Sequence, residues 1–434
     1  MPPQALLADA EAPAAPSGAA KDALDALRLL FGDAVGSEFD VELWDGTAAR
    51  AHDGARFTLH VRTPFALRAA LTPPLDLNPG RAFVEGWLDL TGDVEAAVDA
   101  LERALQGFSR SALPLLAARL LRLPRAPAGA RGGQARLRGR LHSRVRDAAA
   151  IGFHYDQPLE FYAAFLDPNL VYSCAYFETE DATLEAAQRA KIDYILRKLR
   201  IAPGERLLDI GCGWGALVIR AAERAGVEAL GITLSRPQYE EAQRRIAACG
   251  LSGRARVELR DYRELGNLTF DKIVSVGMVE HVGRSRLPEY FRAAFRALRP
   301  GGLFLNHGIT DQSPQRRGYR GGFIDRYVFP DCELVPISDV LAPAERAGFE
   351  VRDVENLREH YAQTLRHWVA NLERNAGRAI GAAGERTYRI WQLYMAGSAQ
   401  GFRSGRMGLF QSLLGKPHTD GSLAIPRTRH DLYE

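Results

Sequence analysis

Residues 205–226, ERLLDIGCGWGALVIRAAERAG, carry the clearest chemical signal in the chain. Arg206–Ile210 reads as a buried strand, Gly211-Cys212-Gly213-Trp214-Gly215 as a turn, and Ala216–Ala225 as a helix. Glycines at 211, 213 and 215 allow positive φ and a close approach of backbone to ligand. The spacing is G-x-G-x-G, whereas a dinucleotide site reads G-x-G-x-x-G. Ala216 could fill that last slot, so the glycines alone do not exclude a nicotinamide cofactor. Asp209, two residues before Gly211, tips the balance. A carboxylate there repels a diphosphate and suits a zwitterionic, sulfonium-bearing ligand such as S-adenosylmethionine.

Other reactive types fall at the ends of neighbouring strand patterns. The run 227–233 ends at Thr233, Leu234 and Ser235, with Gln238 one helical turn on. The Gln238 amide suits ribose hydroxyls, although a solvated helix start explains it equally. The run 257–260 leads into Asp261-Tyr262, where a carboxylate can accept from an adenine amino group or cap a turn. Glu280 follows DKIVSVG, and His307 ends the strand pattern GLFLNH. Taken singly, Cys174 reads as a small buried hydrophobe, His307 as a structural histidine and Tyr361 as helix core.

These residues need a scaffold, and the chain is long enough for several domains. It has 434 residues, 46% hydrophobic and 25% charged, as in ordinary globular proteins. Residues 1–20, rich in Ala and Pro, read as a loose tail. Residues 21–118 combine an amphipathic stretch at 23–31, strand-like FTLHVR at 57–62 and a helix around 94–105: a small α+β domain. Residues 119–150 read as an arginine-rich linker, with Pro124, Pro127 and Gly132-Gly133 in its middle. From 151 to 434 strands and helices alternate, which implies a parallel sheet covered by helices on both faces, an α/β fold. Four scattered cysteines show no metal-ligand spacing, and a reducing cytoplasm is the simpler setting. No signal peptide or membrane-spanning run is evident.

The segments LVYSCAYFETEDATLEAAQRAKIDYILRKL, LDIGCGWG, GITLSRPQ, SVGMVEHVG, FLNHGI and HYAQTLRHW, in that order, closely resemble the cyclopropane-fatty-acid synthase family, which includes the cyclopropane mycolic acid synthases. The likeness covers 152–414. It implies a class I methyltransferase fold with a mixed seven-stranded sheet, adding a methylene from S-adenosylmethionine across a cis double bond of an acyl chain. It also implies a bicarbonate base held by Cys174, Glu280, His307, Ile309 and Tyr361, with Cys174 and Ile309 acting through their backbones. Cofactor contacts would fall on Tyr172, Ser173, Asp209, Gly211, Gly213, Trp214, Gly215, Thr233, Leu234, Gln238, Asp261 and Tyr262. No metal is implied. The extra N-terminal domain fits the branch that acts on phospholipids, and a homodimer would be unsurprising.

The chemistry accounts for these residue types. An alkene is a weak nucleophile, so the methyl donor must be held in line in a dry pocket. The resulting carbocation needs π density or negative charge nearby, and a base must take a proton before the ring closes. Aromatic residues between Phe153 and Phe177 could serve as core or as the wall of an acyl tunnel.

Two departures stand out. FPDCELVP, 329–336, has Asp331-Cys332 where the family reads Gly-Gly, and Ser398 replaces a family cysteine that the mechanism does not need. The first keeps open a fatty-acyl C-methyltransferase making methylene- or methyl-branched chains. A catalytically dead lipid-binding protein and a natural-product methyltransferase are disfavoured.

The net charge is only +3, yet nine arginines and no acids lie in 119–146, so the remainder is net negative. With flanking SALPLLAARLLRLP, this suggests peripheral docking of 110–146 on the inner face of an anionic membrane rather than nucleic-acid binding.

Overall fold

The computed structural model describes residues 17–52, 54–127, 134–135, 137–313 and 321–433, and the chain forms two compact units, 1–131 and 132–434. Most of the stretch expected as a tail lies outside the described residues. Its last part is ordered: Ser17 Oγ accepts from the Ala20 N–H at 3.2 Å and caps a helix, Gly18–Phe31. Ala20, Ala23 and Ala26 are fully buried along one side, so small residues here serve close packing.

The first unit contains strands β1 (Asp40–Leu43), β2 (Ala48–Ala49), β3 (Phe57–Val61) and β4 (Leu88–Gly92), in the order β2-β1-β3-β4. Only the β1–β3 pair is parallel. Phe39 stacks on Phe57 with ring centroids 4.6 Å apart. Residues of the helices Gly18–Phe31, Val94–Gly107 and Leu113–Arg122 complete the same core.

The arginine run does not form one linker. Arg119 and Arg122 end the helix Leu113–Arg122, while Arg144 and Arg146 begin the helix Arg144–Tyr155. Arg119 pairs with Asp22 at 2.7 Å, Arg122 with Asp22 at 3.3 Å, Arg144 with Glu264 at 2.6 Å and Arg146 with Asp331 at 2.5 Å. Carboxylates distant in sequence thus offset part of the charge that the local count left unopposed. Arg131 and Arg136 lie outside the described residues.

The second unit holds β5 (Arg206–Ile210), β6 (Glu228–Thr233), β7 (Ala255–Leu259), β8 (Phe270–Val276), β9 (Leu298–Asp311), β10 (Glu350–Asn356) and β11 (Met407–Gly415). They form one sheet in the order β10-β11-β9-β8-β5-β6-β7, with β11 antiparallel to its neighbours and the rest parallel. Its strands are apolar on both sides because both faces are covered. Leu207, Val274, Leu305 and Leu413 enter one core with Ile192 and Ile195 of the helix Leu184–Leu199. Leu208, Ile273, Phe304 and Leu414 enter the other with Tyr290 and Phe291 of the helix Leu287–Ala297. Strand order reverses between β5 and β8, which leaves a crevice at their carboxyl ends.

One strand runs longer than its local pattern predicts. His307 does not end β9, which continues to Asp311 because β11 pairs with it from Leu303 to Asp311. That partner arrives about a hundred residues later and leaves no trace in the local pattern.

Candidate active site

At the crevice, Gly211, Gly213 and Gly215 adopt φ of 82°, 55° and 83°. A Cβ on Gly211 would meet Met278 at 3.2 Å, and one on Gly215 would meet Ala242 at 3.2 Å, so bulk and conformation both exclude larger residues. Cys212 is likewise accommodated by Gly231 on β6, where a Cβ would fall 2.7 Å from the thiol.

The turn opens into a cavity lined by Tyr172, Ser173, Asp209, Gly211, Gly213, Trp214, Thr233, Leu234, Gln238, Asp261 and Tyr262. Gly215 stands outside it and caps the helix Ala216–Ala225. Burial pushes the Asp209 carboxyl up to about 7, although the Lys191 ammonium opposes the rise. Thr233 Oγ1 donates to Gln238 Oε1 at 2.9 Å, which leaves the amide NH2 of Gln238 to donate elsewhere. Asp261 also caps a turn within the protein. It accepts from the Arg263 backbone at 2.9 Å and from its guanidinium at 2.6 and 2.8 Å.

Sequence reasoning missed several wall residues. The helix Arg144–Tyr155 presents Asp147, Ile151 and Tyr155 to the cavity at four-residue spacing, and Asp147 also binds Arg263 at 3.1 Å. Lys191 is another, and its signal was legible. Gln188, Lys191, Ile195 and Lys198 repeat at helical spacing and are all buried on the helix Leu184–Leu199.

The five residues expected to act in catalysis do not line this cavity. Among them, Glu280 and Ile309 are joined by a hydrogen bond, and Tyr361 lies within electrostatic reach of Cys174 and Glu280. Glu280 lies in the short helix Val279–Val282 after β8 and is 5% exposed. Its Oε1 accepts the Ile309 N–H at 2.6 Å, while Oε2 is buried with no partner among the described residues. Burial pushes this carboxyl up to about 7. The Ile309 N–H thus ties β9 to Glu280. Tyr361, on the helix Arg358–Arg374, is buried, and its hydroxyl is held high by desolvation and then by Tyr394, Cys174 and Glu280 nearby. Cys174 is fully buried and its thiol is likewise pushed up, so it remains a neutral thiol.

His307 has a tautomer set by its neighbours. Lys198, ion-paired with Glu355, donates to Gln411 Oε1 at 2.9 Å. An ammonium has no acceptor, so this contact fixes the amide orientation. Gln411 Nε2, 3.2 Å from His307 Nδ1, must then be the donor. The imidazole proton consequently resides on Nε2, which is buried and has no partner among the described residues. Burial and then the charges of Lys191 and Lys198 keep the ring neutral.

The departure at 329–336 braces this centre. The Glu333 N–H donates to the Glu280 carbonyl at 3.0 Å, and Glu333 Oε2 accepts the Arg284 N–H at 2.9 Å. Asp331 sits at φ 63°, the left-handed region where glycine is usual, and binds Arg146 through two hydrogen bonds of 2.5 and 2.9 Å. Aromatic roles also separate. Tyr155 and Tyr172 face the cavity, whereas Phe161, Tyr162 and Phe165 are fully buried core. Among the described residues, no cluster suits a metal and no helix is long and apolar enough to cross a membrane.

The strand order, the glycine turn and the acid at the end of β5 define a class I S-adenosylmethionine-dependent methyltransferase. The family model for mycolic acid cyclopropane synthetase matches residues 142–412, and the chain belongs to that family. A protein of Pseudomonas putida named "Probable fatty acid methyltransferase" is 42% identical over 401 residues, 91% of this chain and 95% of that one. Cyclopropane mycolic acid synthase 1 of Mycobacterium tuberculosis is 39% identical over 274 residues, 61% of this chain and 95% of its own length. Among solved structures, the cyclopropane synthase MmaA2 from Mycobacterium tuberculosis matches with a TM-score of 0.59 and 37% identity, covering 64% of this chain and all of that one. The mycolic acid cyclopropane synthase CmaA1, complexed with SAH and CTAB, matches with a TM-score of 0.58 and 39% identity over 62% of this chain and 97% of that one.

Proposed function

We propose that the chain transfers a methylene group from S-adenosylmethionine to the cis double bond of an unsaturated phospholipid acyl chain, closing a cyclopropane ring. The carrying observation is the buried Glu280, whose Oε2 has no partner among the described residues and whose chain neighbours Met278, His281 and Val282 line the cofactor cavity; His307 Nε2 is a second buried atom without a partner among them. A cation formed in solution would be trapped by water, whereas this centre is sealed from it. When bound, S-adenosylmethionine supplies an electrophilic methyl group and bicarbonate a base.

The chain's own residues do the rest. Asp209 and the glycine turn receive the cofactor. Tyr155, Tyr172 and Tyr361 offer π faces to positive charge developing on the acyl chain. The alkene electrons would form the new carbon–carbon bond as the methyl's bond to the sulfonium sulfur breaks and its electron pair stays on sulfur, a proton would leave the added methyl, and the electrons of that C–H bond would close the ring. Glu280 and His307 hold the site that accepts the proton. Lipid mass spectrometry of a host expressing the chain should show a 14-dalton gain on unsaturated acyl chains, a mass that follows from adding CH2. Glu280→Gln should abolish it, and unchanged product would remove Glu280 from the mechanism.

A fatty-acyl C-methyltransferase is the second reading. It is favoured by the Pseudomonas putida relative, whose 91% coverage reaches well into the first unit, where the mycolic synthase matches only 61%. Catalytic hydrogenation of the product separates the two, since a methylene branch takes up hydrogen readily.

For substrate access we propose a peripheral membrane contact at the inner face. Leu113, Leu115 and Leu121 of the helix Leu113–Arg122 are 56%, 50% and 66% exposed, and Arg125 follows them. Apolar side chains flanked by cations suit an anionic lipid surface.

A further inference from the structure

Two buried, oppositely charged groups open into the cofactor cavity with their bonding capacity largely unused. Lys191 lies on the helix Leu184–Leu199, which packs on the sheet face that carries Leu207. Asp209, two residues along β5, points to that same face. Lys191 is 2% exposed and Asp209 3%, and both line the cavity. Lys191 Nζ donates to Ser173 Oγ at 2.9 Å and to no other acceptor among the described residues, so two of its three N–H groups remain. The Asp209 carboxylate has no hydrogen-bond donor among the described residues.

Leaving two such groups dry is costly unless something completes them. We infer that Lys191, with Ser173, binds the carboxylate of the cofactor's amino-acid end, while Asp209 takes its ammonium. The wall thereby reads a zwitterion, a demand that neither a nucleoside nor a dinucleotide meets. This inference rests on the cofactor reading of the cavity. It adds a residue outside the glycine turn and gives the hydroxyl of Ser173 a defined role as Lys191's partner. Mutual neutralisation of Lys191 and Asp209, with no ligand role, is the competing explanation.

Isothermal titration calorimetry distinguishes them. The probes are S-adenosylhomocysteine and its decarboxylated analogue, which keeps the amine and the nucleoside. The wild-type protein should bind the first more tightly by roughly 10- to 100-fold, the range of a charged hydrogen bond. Lys191→Met should lose most of that preference, weakening S-adenosylhomocysteine while changing the analogue less than about twofold. Lys191→Gln, which keeps a donor, provides a second variant if the first folds poorly, and it should lie between the two. Equal weakening of both ligands in the variants, or a wild-type protein indifferent to the carboxylate, overturns the inference. A wild-type protein that binds neither ligand refutes the cofactor reading itself.

Discussion

Replacing Lys198 by methionine tests whether the proton on His307 is set by a side chain that never reaches the reacting atoms. Lys198 orients Gln411 through a 2.9 Å contact to Oε1, and Gln411 in turn donates to Nδ1. A hydrogen bond from a charged donor contributes about 1.5–3 kcal/mol, which corresponds to a preference of roughly 10- to 100-fold for one amide orientation. Methionine removes that preference while filling similar space. Gln411 can then turn its oxygen to Nδ1, which draws the proton there and leaves a lone pair on Nε2 facing the oxyanion site.

The expected change is from a tautomer ratio of at least about tenfold towards comparable populations, with a loss of only about two- to fivefold in kcat/KM. Nitrogen-15 NMR of histidine-labelled protein, with His307→Gln to assign the signal, reads the ratio directly. Losing the Lys198 charge should also raise the His307 pKa, because Lys198 is one of the charges holding it down. Glu355, its side chain 27% exposed, can be hydrated once its partner is gone. A wild-type ring protonated at Nδ1 would falsify the argument, and so would a Lys198→Met protein with an unchanged tautomer ratio.

Three further outcomes follow from the same structure. Asp209 and Glu280 both have carboxyl pKa values raised to about 7 by burial, so the unfolded chain releases these protons earlier than the native one. Stability from these groups is full below about pH 4 and is lost as pH rises through 7. Thermal denaturation of the ligand-free protein should show this slope, and Asp209→Asn with Glu280→Gln should flatten it. At Asp331, alanine keeps the left-handed backbone cost and loses the Arg146 contact, whereas glycine relieves that cost of about 1–2 kcal/mol. Urea unfolding should therefore rank Asp331→Ala below Asp331→Gly by roughly that amount, and the reverse order refutes the reasoning. Leu115→Glu with Leu121→Glu should lower co-sedimentation with anionic liposomes by about tenfold or more, since each buried leucine contributes about 1.5–3 kcal/mol. Turnover of a dispersed short-chain substrate should be unaffected, and unchanged sedimentation of the double variant rejects this surface.

Much of the cofactor cavity was legible because it is built from contiguous sequence. The turn after β5 and the ends of β6 and β7 are local signals: strand periodicity, glycine spacing and one acid. The resemblance placed Glu280, His307 and Tyr361 in order along the chain, but it could not show how each is held. The Ile309 N–H engages Glu280 only because β9 and the Val279–Val282 turn meet in space. Asp261 lines the cavity and is also held by Arg263, which Asp147 binds in turn.

The sequence by itself determined the alternating α/β pattern and the residue types at the strand ends, since each depends on neighbours within a few positions. Tertiary structure alone decided the charge states and directions of the reactive groups. His307 depends on residues 198, 355 and 411, Lys191 acts electrostatically on Asp209 from another element, and the arginine run is partly neutralised by Asp22, Glu264 and Asp331. Burial and electrostatic partners arise from the folded packing of distant segments, and local periodicity carries no record of them.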